Sequence, residues 1–204
     1  MAGCVSKPAR ALVLALVVAA LMTGCTADDA DTSPDRVNEY GGAGDLPGAL
    51  PEDVAFQKAP RSAVTAPDFS AELLDGTPVA AAQLWEDRPL VLVFTASSCN
   101  ECASVHREAT EVVDEHEGAV ALLAVVRAND TNGGREYARD LRLDHPIAAG
   151  AEGMWLNYAA GQPPLVVLIA PGGKVLRGWP GEFDADELAK ELEGLYESSP
   201  PADE

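Results

Sequence analysis

An apolar run leads directly into a closely spaced cysteine pair, and this arrangement constrains the chain more than any other feature of its sequence. Residues 90–94 are all large and apolar, which is typical of a strand buried on both faces. Small polar residues then lead to Cys99 and Cys102, which have C-x-x-C spacing. A helix is expected over residues 101–117, ended by Gly118. A strand, a C-x-x-C pair and a helix in this order predict a redox-active thiol pair.

The start of this helix predicts different chemistry for the two cysteines. Unpaired backbone N–H groups and the positive end of the helix dipole favour a thiolate at Cys99. The thiolate is the form that attacks a disulfide. Cys102 lies one turn further on, where we expect it to be shielded and to resolve the mixed disulfide. Glu101 lies between them and disfavours the thiolates by like-charge repulsion, which predicts a reducing pair.

The first 24 residues have the pattern of a targeting segment. Basic residues precede an apolar stretch over residues 11–21, which is too short to span a bilayer and typical of a signal peptide. Gly24 and Cys25 follow it, and this junction resembles the bacterial lipoprotein signal. We therefore expect residues 1–24 to be removed and Cys25 to carry lipid on the outer face of the cytoplasmic membrane. An uncleaved anchor or an ordinary secretory signal are the alternatives.

Charge and cysteine usage limit the possible partners of the mature chain. The formal net charge of −19 argues against binding to nucleic acid and against electrostatic docking on anionic lipid. Of the four cysteines, Cys4 lies in the predicted signal and Cys25 takes lipid. Only Cys99 and Cys102 remain, so a structural disulfide framework is not expected. We expect a monomer held at the membrane by its lipid anchor.

Composition divides the rest of the chain into three parts. Residues 25–62 are rich in Asp, Gly, Pro and Ala without apolar periodicity, which predicts a flexible tether. Residues 63–197 form the predicted domain, and residues 198–204 a disordered tail. Within the domain, alternating strands and helices predict an α/β sandwich. Strands are expected at residues 68–74, 90–95, 120–126, 165–169 and 175–179, a short extended segment at 146–148, and helices at 101–117, 135–141, 154–158 and 184–196.

From residue 66 to residue 196 the chain resembles the thioredoxin fold, and within it the TlpA/ResA group of membrane-tethered thiol-disulfide oxidoreductases. Three stretches besides the cysteine pair carry the resemblance, in the order residues 66–79, 161–169 and 171–175. The resemblance implies a thioredoxin-like three-layer sandwich with a central mixed sheet and an N-terminal hairpin extension. It also implies a cis peptide bond at Pro164, facing Cys99 and exposing backbone for the substrate chain.

The same resemblance implies an activity and its partners. The expected function is extracytoplasmic thiol-disulfide exchange with exported proteins, as a reductant, for example in cytochrome c maturation. Protein disulfides would be the substrates and a membrane electron donor would restore the thiols. No cofactor or metal is implied beyond the redox-active Cys99–Cys102 disulfide. The chain departs from the group at Ser98, where Trp is usual, and at Val93, where many thioredoxins have a buried Asp that shuttles protons.

Other functions remain open at the level of sequence. His106 follows Cys102 by four residues and so shares its helical face. It is interpreted as an ordinary core or solvated histidine, but a copper or zinc ligand or a proton relay would also suit this spacing. A thioredoxin-fold copper carrier and a non-catalytic binding lipoprotein are therefore alternatives. A peroxiredoxin is disfavoured because Ala96 occupies the place where that class has Thr.

Overall fold

The computed structural model describes residues 40–197, so the predicted signal, the predicted lipidation site Cys25 and the predicted tail lie outside the described residues. The strands in this part of the chain are β1 (Val64–Thr65), β2 (Ser70–Leu73), β3 (Pro78–Ala80), β4 (Leu90–Phe94), β5 (Ala121–Arg127), β6 (Ile147–Gly150), β7 (Leu165–Ala170) and β8 (Lys174–Pro180). The α-helices are α1 (Ala81–Trp85), α2 (Cys102–Asp114), α3 (Thr131–Leu141), α4 (Glu152–Asn157) and α5 (Ala185–Glu193). None of these helices is long and apolar enough to cross a bilayer.

Strand β4 lies inside a single mixed sheet of eight strands, in the order β1-β8-β7-β4-β5-β6-β2-β3. It pairs in parallel with β5, where Leu90 is opposite Ala121, and antiparallel with β7, where Phe94 is opposite Leu165. Every residue of β4 is fully buried, because helices cover both faces of the sheet. The predicted central strand and mixed sheet are therefore confirmed.

Side-chain alternation along β4 divides the core between two faces of the sheet. Leu90, Leu92 and Phe94 belong to a cluster with aromatic residues of α1 and α4. Val91 and Val93 face the other way, toward apolar residues of α2 and α5. The result is the predicted three-layer sandwich, in which α2 is held against the sheet directly after the cysteine pair.

An N-terminal hairpin extends the sheet beyond β6. Strands β2 and β3 pair antiparallel, with Ser70 opposite Ala80. The turn between them includes Gly76, whose φ of 90° is unfavourable for residues with a side chain. Strand β2 also pairs antiparallel with β6. The predicted hairpin is present, over slightly shorter strands than the sequence pattern indicates.

Residues 40–62 differ from the predicted flexible tether. The carbonyl of Gly41 accepts the N–H of Ile147 at 3.0 Å, and Phe56 packs on the ring of Tyr196. The buried Arg88 guanidinium donates to the carbonyl of Gly48 at 2.8 Å. The tether prediction is therefore wrong for this stretch. Backbone groups make many of these contacts, so apolar periodicity carries no sign of them.

Two helix boundaries also differ from the sequence expectation. Helix α2 begins at Cys102 and ends at Asp114, inside the predicted residues 101–117, because a turn with positive φ at Glu117 and Gly118 follows it. Helix α3 begins at Thr131, four residues before the predicted start at residue 135. Gly133 and Gly134 disfavour a helix locally, but their lack of side chains allows close packing here.

Candidate active site around the cysteine pair

The cysteine pair lies where the chain leaves β4 and enters α2. Cys99 and Cys102 form a disulfide with an S–S distance of 2.10 Å and a Cα–Cα distance of 5.4 Å. The N–H of Cys99 donates to the carbonyl of Ala96 at 3.0 Å, which closes a tight turn between the strand and the pair. The buried strand β4 thus fixes the chain before the pair, and helix α2 fixes it at Cys102.

The start of α2 is directed at the sulfur of Cys99. The N–H of Cys102, the first residue of the helix, lies 3.1 Å from Cys99 Sγ and donates to it. Cys99 itself precedes the helix by three residues. The N–H donor and the positive end of the helix dipole favour a negative charge on that sulfur. This contact is the one that the sequence prediction of a thiolate at Cys99 requires; the thiolate itself remains a prediction.

The two cysteines differ in their exposure to solvent. Cys99 is half-buried, whereas Cys102 has 0 % relative exposure. A partner disulfide can therefore approach Cys99 but not Cys102. An attacking and a resolving thiol require a difference in this direction; the two roles themselves remain predictions.

Glu101 occupies the residue before α2. It is the N-cap residue of the helix and is exposed to solvent, and its backbone carbonyl accepts a hydrogen bond from Ser104 Oγ at 2.9 Å. Its carboxylate therefore stands in the turn that joins the two thiols. Its effect on the thiolates remains a prediction.

Pro164 lies beside the end of β4. The Pro163–Pro164 peptide bond is cis, as the family resemblance implies, and Pro164 is buried. Because Leu165 pairs with Phe94 in antiparallel register, the proline loop and the cysteine loop leave the sheet at the same edge. The fold therefore brings together two segments that are far apart in sequence. A role of Pro164 in binding substrate remains a proposal.

Arg127 holds the loop before Pro164, and sequence reasoning missed it. Its guanidinium forms an ion pair with Glu152 at 2.7 Å and donates to the carbonyl of Gly161 at 3.3 Å. It also lies over the ring of Trp155, 4.2 Å from the centroid. One side chain thus connects the end of β5, helix α4 and the proline loop.

A buried hydrogen-bonded network lies behind Cys102. Tyr137 donates its hydroxyl proton to the carbonyl of Cys102 at 3.1 Å. The hydroxyl oxygen of Tyr137 also lies 2.9 Å from His106 Nδ1. On the other side of the ring, His106 Nε2 contacts His145 Nε2. Because the tyrosine proton is already used, His106 Nδ1 must donate to the tyrosine oxygen. His106 Nε2 then accepts the N–H of His145.

All three side chains of this network are held uncharged at neutral pH. Burial, with His145 as a smaller second cause, lowers the pKa of His106 well below its usual value. Burial also lowers the pKa of His145 to about 4, against an opposing effect of Asp144. Burial raises the pKa of Tyr137 to about 12. His106 is thus a core histidine with satisfied partners, in agreement with the favoured interpretation.

The partners of His106 could not be found from sequence, since Tyr137 and His145 have no spacing relation to the cysteine pair. Their contacts with His106 span 31 and 39 residues. Among residues 40–197, no group of three or more His, Cys, Asp or Glu side chains is arranged to hold a metal ion. The described residues therefore offer no observation that favours the copper-carrier alternative.

Comparison with known proteins now places the chain in a family. The family model described as Redoxin matches residues 61–177. The chain belongs to the Redoxin family. A comparison with curated proteins finds no match.

Solved structures share the fold of this Redoxin chain. MTB DsbF, determined in mixed oxidized and reduced forms, is 25% identical in sequence and has a TM-score of 0.56. The match covers 63% of this chain and 98% of the DsbF chain. A secreted Mycobacterium tuberculosis disulfide oxidoreductase homologous to E. coli DsbE is 22% identical and has a TM-score of 0.54. The match covers 62% of this chain and 96% of that protein's chain. The exposed lipoprotein thioredoxin Etrx1 of Streptococcus pneumoniae is 20% identical and has a TM-score of 0.55. The match covers 62% of this chain and 98% of the Etrx1 chain.

Family, fold and site together define the chemistry. The fold is thioredoxin-like, with a mixed central sheet and helices on both faces. The C-x-x-C pair Cys99–Cys102 forms a disulfide at the end of the central strand. This Redoxin chain is a thioredoxin-like thiol-disulfide oxidoreductase.

Proposed function

We propose that this chain reduces disulfides of exported proteins outside the cytoplasm, with Cys99 as the attacking thiol and Cys102 as the resolving thiol. One observation carries the assignment: the sulfur of the half-buried residue Cys99 accepts the first N–H of α2, whereas Cys102 is fully buried. The thiolate is therefore favoured at the sulfur that a substrate can reach.

The proposed reaction proceeds in two exchange steps. The Cys99 thiolate attacks one sulfur of a substrate disulfide and forms a mixed disulfide, and the other substrate sulfur leaves as a thiolate and takes a proton from water. Cys102 then attacks Cys99 Sγ, and its proton passes to the substrate sulfur that departs. The Cys99–Cys102 disulfide forms and the second substrate sulfur leaves as a thiol. The substrate gains the two electrons that the cysteine pair loses.

Pro164 would bind the substrate chain next to the attacking sulfur. The proline loop and the cysteine loop leave the sheet at the same edge, since Leu165 pairs with Phe94. A substrate strand lying along residues 161–163 would place its disulfide near Cys99. The Arg127 contacts to Gly161 and Glu152 support this role, because they hold the loop in one position.

The proposed location is the outer face of the cytoplasmic membrane, through a lipid on Cys25. The sequence pattern at Gly24–Cys25 is the basis for the anchor. Similar structures include a secreted oxidoreductase and an exposed lipoprotein thioredoxin, which supports a position outside the cytoplasm. As in the TlpA/ResA group that the sequence resembles, a membrane electron donor would return the electrons, and cytochrome c maturation is a candidate setting.

Single cysteine replacements in the mature protein test the assignment. Cys102→Ser should accumulate a mixed disulfide between Cys99 and its substrate, because the resolving thiol is missing. Cys99→Ser should trap nothing and should not reduce insulin. The measurement is non-reducing electrophoresis with mass spectrometry of the adduct, alongside an insulin-reduction assay. A Cys99→Ser variant that still reduced insulin through Cys102 would overturn the assignment.

A further inference from the structure

Asp130 stands at the start of α3 but does not cap its own helix. It is the N-cap residue of α3, a position where an Asp side chain ordinarily accepts a backbone N–H of the first turn, and no such bond is present. Its carboxylate instead accepts the N–H of Ser97 at 3.2 Å and the hydroxyl of Ser97 at 2.9 Å. By contrast, Asp184 at the start of α5 accepts the N–H of Glu187 at 2.9 Å.

Two glycines in α3 allow this approach. A Cβ on Gly133 would lie 2.3 Å from Asp130 Oδ1 and 2.6 Å from Ser97 Oγ. A Cβ on Gly134 would lie 2.9 Å from a methyl of Val126 on the neighbouring strand. Because glycine weakens a helix, this pair indicates that α3 is built to lie close to the loop that holds Ser97.

Ser97 belongs to the turn that carries Cys99. The turn is closed by the bond from the N–H of Cys99 to the carbonyl of Ala96. On its far side, Cys99 Sγ accepts the N–H of Cys102. Asp130 therefore holds the turn at Ser97, before Cys99, and the first N–H of α2 holds the Cys99 sulfur.

We propose that Asp130 is a positioning residue for thiol-disulfide exchange, which fixes the turn before Cys99 through Ser97 and makes the cysteine pair more reducing through its negative charge. The proposal rests on the proposed function of Cys99 as the attacking thiol. Repulsion from the carboxylate acts on a Cys99 thiolate but not on the disulfide. The charge therefore disfavours the reduced, ionised pair.

The charge and the positioning can be separated by two replacements. In Asp130→Asn, the amide oxygen can accept the N–H of Ser97 and the amide nitrogen can donate to its hydroxyl, so the turn is retained while the charge is lost. Asp130→Ala loses both. The readouts are the alkylation rate of reduced Cys99 as a function of pH and the redox potential against glutathione. Asp184→Asn is the matched control, because it changes the same residue type at a helix start away from the site.

Asp130→Asn should alkylate roughly threefold to fivefold faster at pH 6, because the loss of a negative charge bonded to the turn before Cys99 favours its thiolate. Its potential should become less negative. Asp130→Ala should exchange disulfides about tenfold more slowly than Asp130→Asn at equal thiolate fraction, since orientation of the nucleophile is lost. The Asp184→Asn control should match the unsubstituted protein in both measurements.

Alkylation and potential unchanged in both Asp130 variants would overturn the proposal, even with Cys99→Ser inactive as expected. An active Cys99→Ser protein would instead overturn the proposed function. If Asp130→Ala fails to fold, Ser97→Ala replaces it, because this change removes the hydroxyl bonds and keeps the charge. Slower exchange without faster alkylation in Ser97→Ala would support the positioning role, and unchanged exchange would refute it.

Discussion

Replacing His145 should change how the stability of the domain depends on pH. Burial lowers the pKa of His145 from 6.5 to about 4 in the folded protein. In the unfolded chain the same group titrates near 6.5, so between these values the unfolded state binds more protons than the folded state. The contribution to stability is therefore present above pH 6.5 and is lost as the pH falls toward 4. At about 1.36 kcal/mol per pKa unit, the loss is about 3 kcal/mol.

The proposed replacement is His145→Gln, because the glutamine amide can still donate to His106 Nε2 but does not titrate. Other groups contribute to the same pH range: His106 and His116 in the same direction, since burial lowers their pKa values, and Asp114 in the opposite direction, since burial raises its pKa. The informative quantity is therefore the difference between the unsubstituted protein and the variant at each pH. Groups away from His145 cancel in that difference, whereas His106, which contacts His145, contributes to it.

The assay is urea unfolding followed by tryptophan fluorescence at pH 7.5, 6.5, 5.5 and 4.5. The unsubstituted protein should lose about 2.5 kcal/mol more than the variant from the highest to the lowest pH, because pH 4.5 still lies above the folded-state pKa of about 4. His116→Gln is the control, because His116 is likewise a hydrogen-bonded histidine whose pKa is lowered by burial, but it bonds the hydroxyl of Tyr196 at 2.7 Å and is only half-buried. It should flatten the pH dependence less. Equal pH dependence in the unsubstituted protein and His145→Gln would refute the reasoning.

Three further predictions concern the cysteines and their surroundings. In the reduced protein Cys99 should alkylate much faster than Cys102, because only Cys99 is accessible; mass spectrometry of partially labelled protein measures this, and equal rates would contradict the proposed roles. Glu101→Gln should lower the pKa of the Cys99 thiol and make the pair more oxidising, since the repulsion acts only on the thiolate. The redox potential is measured against glutathione, where each ~30 mV corresponds to about 1.4 kcal/mol. An unchanged or more negative potential would show that Glu101 is not the residue that makes the pair reducing. The native chain should begin at lipidated Cys25; mass spectrometry of its N-terminal peptide checks this, and an unmodified Cys25 would exclude the anchor.

The sequence was most informative where one local pattern had a single structural solution. The apolar run over residues 90–94 became the buried centre of a mixed sheet. A run that is apolar at every position needs cover on both faces, and the helical patterns that follow supply it. The C-x-x-C pair directly after this run had to lie at the sheet edge, at the start of a covered helix.

The sequence was least informative where contacts join distant backbone or polar groups. Residues 40–62 have the composition of a tether, yet Gly41 and Gly48 bond to the domain through their carbonyls. Every residue has such a carbonyl, so composition cannot show which ones are used. In the same way, two adjacent glycines in α3 look like helix breakers until their close neighbours are known.

By itself, the sequence determined the order of strands and helices from residue 90 onward, the place of Cys99 and Cys102 between them, and the chemistry of that pair, but it did not indicate β1 or α1. These properties follow from apolar periodicity and from spacing within a few residues. Only the tertiary structure decided that His145 and Tyr137 lie behind Cys102, and that Asp130 bonds to Ser97 rather than to its own helix. Those contacts depend on how β4, β5 and the segments after them pack side by side, and local sequence patterns do not record such packing.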